Sequence, residues 1–198
     1  RWTKDLIPVV THDPDLKRLF DSDIIISETT LAELKNRCPQ VQTLEEVLQR
    51  YGGKLHLMVE AKEEHYPQPE KQNKILANLF AQLQAKKDFH LLSLVPEMLV
   101  LLNFVGTSAK LLVAVFNAKN LSKISLTENY AGLGGHYLLL NHKLVRKHLD
   151  CGQKIGVGYP KSKNNQKIAF LPFKTGLTEL NCDLGYSGLG VPKSSSNY

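Results

Sequence analysis

The apolar run "LHLMVEAK" ends on a carboxylate and an amine, Glu60 and Lys62. Side chains alternate along a strand, so residues two apart project from one face, and the two charges share a small space at the strand's carboxyl end. A carboxylate placed there can ligate a hard divalent cation while the lysine meets a phosphate oxygen. The same pair serves equally well as a structural ion pair. A second apolar run, "IPVVTHDPDL", delivers His12 into an Asp13-Pro14 corner. The residue before a proline is pushed out of helical conformation, so the chain turns there and fixes the direction of the imidazole. A histidine held at a strand mouth can act as a general acid or base near neutral pH, although a single loop histidine is also ordinary polar surface.

The elements that must position these residues alternate in kind. "LIPVV", "KLHLMVEAK", "FHLLSLV", "KLLVAVFN", "HYLLLN" and "KIGVGYP" have strand length and are largely apolar, as parallel strands covered on both faces are. Helical patterns lie between them. Thr30 with Glu33 and Thr43 with Glu46 match capping boxes before "LAELKN" and "LEEVLQR". Ile75, Leu76, Leu79, Phe80 and Leu83 draw one apolar stripe along "KILANLFAQLQAKK", and Pro96 suits the first turn of "PEMLVLLNFV". "HKLVRKHLD" runs from an Asn141 cap to Gly152, a residue suited to a left-handed stop. This rhythm predicts an α/β architecture with a parallel sheet, whose ligand site lies beyond the carboxyl ends of the strands.

Composition sets outer limits. A chain of 198 residues with 42% hydrophobic content can bury one sizeable core. The net charge of +6 is uneven, with 19 Lys/Arg against 17 Asp/Glu up to residue 150 and 6 against 2 beyond it. That balance suits a phosphate-bearing ligand or an anionic surface, and no arginine-rich run with interleaved aromatics argues for nucleic acid. Cys38, Cys151 and Cys182 form neither a disulfide framework nor a zinc motif, which fits a reducing, cytoplasmic compartment. Pro96, Glu97 and Asn103 interrupt the longest apolar stretch, so no stable membrane insertion is expected.

Taken in order, "WTKDLIPVVTHDPDLKRLF", "TTLAELK", "VQTLEEVLQRYGGKLHLMVEAK" and "LLSLVPEML" resemble the glycerophosphodiester phosphodiesterase family over residues 1 to 165. The resemblance implies a (β/α)8 TIM barrel that uses a divalent cation, Mg2+ or Ca2+, to hydrolyse glycerophosphodiesters to glycerol 3-phosphate and an alcohol. It implies that His12 is the second of two catalytic histidines, Glu60 a metal ligand and Lys62 a phosphate-facing lysine. Tyr159 lies where the family often has a tryptophan near the substrate, and as an aromatic at a strand end it equally suits core or rim.

The departures are also legible. The family's earlier his-arg pair and glu-x-asp pair would lie upstream of Thr3, so the barrel is expected to be incomplete, lacking its first two strands and its last. One carboxylate is a poor cage for magnesium or calcium, which take six or more oxygens. Weak metal binding and slow or absent turnover follow as expectations. Residues 166 to 198 read as a divergent C-terminal tail, consistent with a truncated chain whose reading frame shifts near Asn165. Two other functions stay open: a non-catalytic remnant or binding module of the same fold, and a phospholipase D-like enzyme acting on lysolipids. Gly134 and Gly135 read as a tight turn before "HYLLLN". His136, His142 and His148 read as surface or satisfied polar residues, and His90 as a strand residue without a chemical role.

Overall fold

The computed structural model describes residues 1–136, 138–158 and 168–170. In chain order the elements are β1 (Asp15–Leu16), α1 (Lys17–Phe20), β2 (Ser22–Ile25), α2 (Leu31–Arg37), α3 (Leu44–Tyr51), β3 (Leu57–Glu60), α4 (Pro69–Leu79), β4 (Phe89–Ser93), α5 (Pro96–Leu101), β5 (Lys110–Ala114), α6 (Ala118–Thr127), β6 (Gly132–His136), α7 (His142–Asp150), β7 (Lys154–Gly158) and β8 (Ile168–Phe170). Strands β3 to β7 pair in consecutive order and all parallel, and β8 joins β7 antiparallel. Consecutive parallel strands joined by helices form half of a TIM barrel.

Both predicted capping boxes form. The Thr30 hydroxyl accepts from the Glu33 N–H while the Glu33 carboxylate accepts from the Thr30 N–H, and Thr43 with Glu46 repeats the arrangement. Caps of this kind stabilise a helix by about 1 kcal/mol each. Asn141 caps α7 by accepting from the Leu144 N–H, and Gly152 follows its end at a φ of 73°. Two cores result. The larger one joins the strand interiors, Leu91, Leu112, Leu133 and Ile155, to the helices and to Trp2. The smaller packs Val9, Leu16, Ile24, Ile26, Leu34, Cys38 and Val41 within the first 41 residues.

Three expectations need correction, and one helix has no predicted counterpart. "LIPVV" is not a strand of the sheet: Pro8 and Val9 make only isolated antiparallel bridges, to Trp2 and Thr43, so residues 1–9 form a hairpin arm. Proline has no N–H to give a ladder, and Leu6, at a φ of 61°, turns the chain just before it. The sixth strand falls on "GLGGH" rather than "HYLLLN". Gly134 and Gly135 are therefore inside β6, where the ladder is tight: a Cβ at Gly132 would overlap the Lys154 carbonyl, and one at Gly135 would lie 3.0 Å from the Ala114 carbonyl oxygen. The helix predicted along "KILANLFAQLQAKK" begins earlier, at Pro69, and stops at Leu79. Phe80 leaves the helix to pack its ring 4.4 Å from Phe89 and 5.6 Å from Phe104. Finally, α6 has no counterpart among the predicted helices, because its buried face is Ala118, Ser122 and Ser125, which shows no apolar period.

Candidate active site at the carboxyl end of the sheet

Glu60 is the last residue of β3 and Lys62 follows two positions later. Their side chains form an ion pair of 2.8 Å with 21% and 13% exposure, so the shared space expected from strand alternation exists and is only partly open to solvent. Ser93, at the end of the neighbouring β4, donates to the Ala61 carbonyl at 2.7 Å and accepts from the Val95 N–H at 3.1 Å. One hydroxyl thus ties the turn between Glu60 and Lys62 to the adjacent loop.

His12 lies in the bend after the hairpin arm, not at the mouth of a sheet strand. Its Nδ1 is 2.7 Å from Asp13 Oδ1, and the Arg18 Nε donates to Asp13 Oδ2 at 2.6 Å. Arg18 and His12 together hold the Asp13 carboxyl down at about 2. Asp13 is an anion throughout the neutral range, and with its other oxygen anchored it orients an imidazole that is itself largely exposed. The stiff corner read from Asp13-Pro14 is therefore also a charged one.

The His12 imidazole bonds Asp13 and not Glu60 or Lys62; what joins the two segments is Arg1. Its guanidinium donates to the His12 carbonyl at 3.2 Å and to the Glu63 carbonyl at 2.9 Å. The His12 bend and the loop after β3 are thereby held side by side at the same end of the sheet. Arg1 and Arg18 are not among the expected site residues, and Asp13 is expected only as part of the corner, not as the partner of His12 and Arg18. The run "HDPDLKR" contains Asp13 and Arg18, but nothing in its spacing shows that Arg18 returns to Asp13 across the short β1 strand. Tyr159 lies outside the described residues.

A cavity of about 470 Å³ lies beside these residues, between the arm and the loop after β3, lined by Arg1, Trp2, Lys4, Glu63, Glu64 and His65. His12, Glu60 and Lys62 do not line it. Among the described residues no cluster of three or more His, Cys, Asp or Glu side chains could hold a metal ion. A lone carboxylate already paired with Lys62 does not make a complete hard-cation site, since such ions take six or more oxygens.

The other histidines divide clearly. His148 is fully buried between α6, α7 and β7. Gln153 Nε2 donates to the Ser125 carbonyl at 2.7 Å, so its Oε1 accepts from His148 Nδ1 at 2.6 Å, and His148 Nε2 is left to accept from the Ser122 hydroxyl at 2.8 Å. His56 Nδ1 donates to the Lys87 carbonyl at 2.7 Å, and its Nε2 shares a hydrogen bond of 2.8 Å with His90 Nδ1. Burial, then the neighbouring His56 and lysines, push His90 down to about 3. The expectation of satisfied polar histidines holds for His148, and His90 belongs to a pair at the amino end of the sheet.

A parallel half-barrel with an acid, a lysine and an oriented imidazole at its carboxyl end has the layout of a barrel enzyme. The sequence model of the Glycerophosphoryl diester phosphodiesterase family matches residues 1–157, and the chain belongs to that family, whose members are phosphoric diester hydrolases. Solved structures agree in fold. A glycerophosphodiester phosphodiesterase from Thermotoga maritima is 22% identical, with a TM-score of 0.65 over 79% of this chain and 69% of that one. A phosphodiesterase from Oleispira antarctica, in complex with the product sn-glycerol-3-phosphate, is 22% identical, with a TM-score of 0.61 over 79% and 68%. A glycerophosphodiester phosphodiesterase from Parabacteroides distasonis is 19% identical, with a TM-score of 0.60 over 79% and 67%. The chain thus spans about two thirds of each of these structures. No curated protein sequence matches it.

Proposed function

We propose that the chain carries part of a glycerophosphodiester phosphodiesterase site, built for hydrolysing glycerophosphodiesters to glycerol 3-phosphate and an alcohol. The observation that supports this most is the shared location of the His12 bend and the Glu60–Lys62 pair, locked together through Arg1 at the carboxyl end of a family-type sheet. In this reading Lys62 neutralises a phosphate oxygen and His12, oriented by Asp13, moves a proton at the reacting oxygens. The family resemblance carries Tyr159 over as a substrate-binding residue. The family resemblance implies a divalent cation, Mg2+ or Ca2+, and Glu60 is the residue that would face it. Because the described donor set does not complete such a site, no step is assigned to the ion, and the chain by itself is expected to bind it weakly and turn over slowly or not at all. The division into a partial barrel over 1–165 and a separate tail over 166–198 belongs to this proposal, with β8 as the part of the tail that extends the sheet.

The test is release of glycerol 3-phosphate from glycerophosphocholine by the full chain, with and without a chelator. Metal-dependent release abolished in His12→Ala supports the reading. Silence at every metal concentration leaves the non-catalytic remnant as the function. Dependence on an acyl chain, seen as turnover of lysophosphatidylcholine in preference to glycerophosphocholine, selects the phospholipase D-like alternative.

A further inference from the structure

Three consecutive strands end in loops that place large apolar side chains in water. Leu94 follows β4 and is 48% exposed, Val115 and Phe116 follow β5 at 43% and 87%, and Leu138 follows β6 at 73%. Scattered exposed hydrophobics are ordinary, but these share one end of a parallel sheet, the end that also bears Glu60. They form an apolar rim around the candidate mouth.

Behind the Phe116 and Leu138 loops the charge is predominantly positive. From residue 98 to 149 the only acidic residue is Glu128, against six Lys and Arg. Glu128 caps the far end of α6, away from the rim. Lys110 is buried, and the exposed cations are Lys119 and Lys123 on α6 and Lys143, Arg146 and Lys147 on α7. Lys119 and Lys143 stand in the first turns, directly after the loops that hold Phe116 and Leu138. Glu97, in the first turn of α5, marks the border of this field on the Leu94 side. Apolar tips flanked by lysines are the composition of a surface that enters the headgroup layer of a bilayer: the apolar groups dip below the headgroups and the amines meet anionic phosphates.

We propose that this rim docks the protein on membranes containing anionic phospholipid, with Phe116 and Leu138 as the inserting residues and Lys119 and Lys143 as the electrostatic contacts. Docking of this kind is peripheral. Among the described residues no helix is long and apolar enough to cross a membrane. The orientation turns the candidate mouth toward the lipid surface, so that diesters with a glycerophosphate core are met at the interface; that meaning rests on the proposed function, whereas the docking itself does not.

The experiment is flotation of the full chain with vesicles of phosphatidylcholine mixed with phosphatidylserine, compared with phosphatidylcholine alone. Binding is expected to the mixed vesicles and to weaken as salt is added. The double variant Phe116→Ser/Leu138→Ser should bind about tenfold more weakly or worse, and Lys119→Ala or Lys143→Ala about fivefold more weakly each. All four side chains are exposed, and circular dichroism checks that the variants fold as the parent does. Failure to float with mixed vesicles overturns the proposal, as does flotation that the double variant leaves undiminished. Concentration-dependent self-association that the double variant abolishes, without vesicle binding, assigns the rim to a second copy of the chain instead. Flotation needs no turnover, so an inactive chain can still pass or fail.

Discussion

The Ser122–His148–Gln153 network and the His12–Asp13–Arg18 chain use similar groups under opposite conditions. In the first, each ring nitrogen of His148 has a protein partner, and Ser122, His148 and Gln153 are all at least 94% buried. A buried polar group must find its partners inside the protein, and once it has found them nothing is left for a ligand. In the second, the imidazole is 61% exposed and only Nδ1 is used. That nitrogen is oriented by an anchored carboxylate. The buried set welds α6 and α7 to the sheet, while the open set leaves its imidazole accessible from solvent. A serine beside a histidine beside an amide oxygen therefore has no catalytic reading at the first place, although its distances alone would permit one.

That contrast can be broken first at the open site. His12→Ala is expected to cut any measured glycerol 3-phosphate release by about 10²- to 10⁴-fold, the range for removing a general acid or base, while shifting stability by no more than about 0.5 kcal/mol, as an exposed substitution does. A loss of folding in this variant would remove the distinction. Lys62→Ala should lower release by about 10²-fold through loss of charge stabilisation, read as kcat with the circular dichroism spectrum unchanged.

The buried side of the comparison predicts the reverse pattern. His148→Leu leaves the Ser122 hydroxyl without its acceptor and Gln153 Oε1 with only the Ser125 hydroxyl at 3.1 Å, and urea unfolding should show a loss of about 2 kcal/mol, with residual activity following only the folded fraction.

Acid offers a graded version. Burial keeps His148 below its ordinary value and His90 is held at about 3 against an ordinary 6.5, so both bind protons more readily in the unfolded chain. Stability from these groups is full above pH 6.5 and is lost as pH falls through the window down to about 3 for His90. The slope is about 1.4 kcal/mol per pH unit for one such group. Urea midpoints measured across that window in the parent and in His90→Gln should diverge, the variant being the less sensitive to acid.

The smallest effect is expected at Arg18. Arg18→Ala removes the guanidinium bond that does most to hold Asp13 low, so the carboxyl should move upward in an NMR titration with little change in stability. An unmoved Asp13 would show that His12 alone sets it.

Local rules made much of this readable in advance. Capping boxes at Thr30 and Thr43 involve four adjacent residues each, and the Glu60–Lys62 pair follows from strand alternation alone. The hairpin arm was less legible: "LIPVV" has strand composition, yet whether an apolar run joins a sheet depends on which neighbour offers it a ladder, and Pro8 and the turn at Leu6 give it only bridges. The strand at "GLGGH" escaped for the complementary reason, since glycines have low strand propensity and are selected here by the closeness of the β5 and β7 backbones. Helix α6 hides its buried face behind serines whose partners, Gln153 and His148, lie more than 20 residues away.

By itself the sequence determined the alternation of strands and helices, the capped starts of α2, α3 and α7, the family, and the carboxylate and amine that share a strand end. These depend on side-chain periodicity and on contacts within a few positions, which the order of residues states directly. Only the tertiary structure decided that Arg1 clasps the His12 bend to the loop after β3, that Arg18 anchors Asp13, that His148 is sealed away, and that Phe116 and Leu138 stand on one rim. Each of those depends on where distant segments meet, and that is fixed by packing the strands side by side rather than by any local pattern.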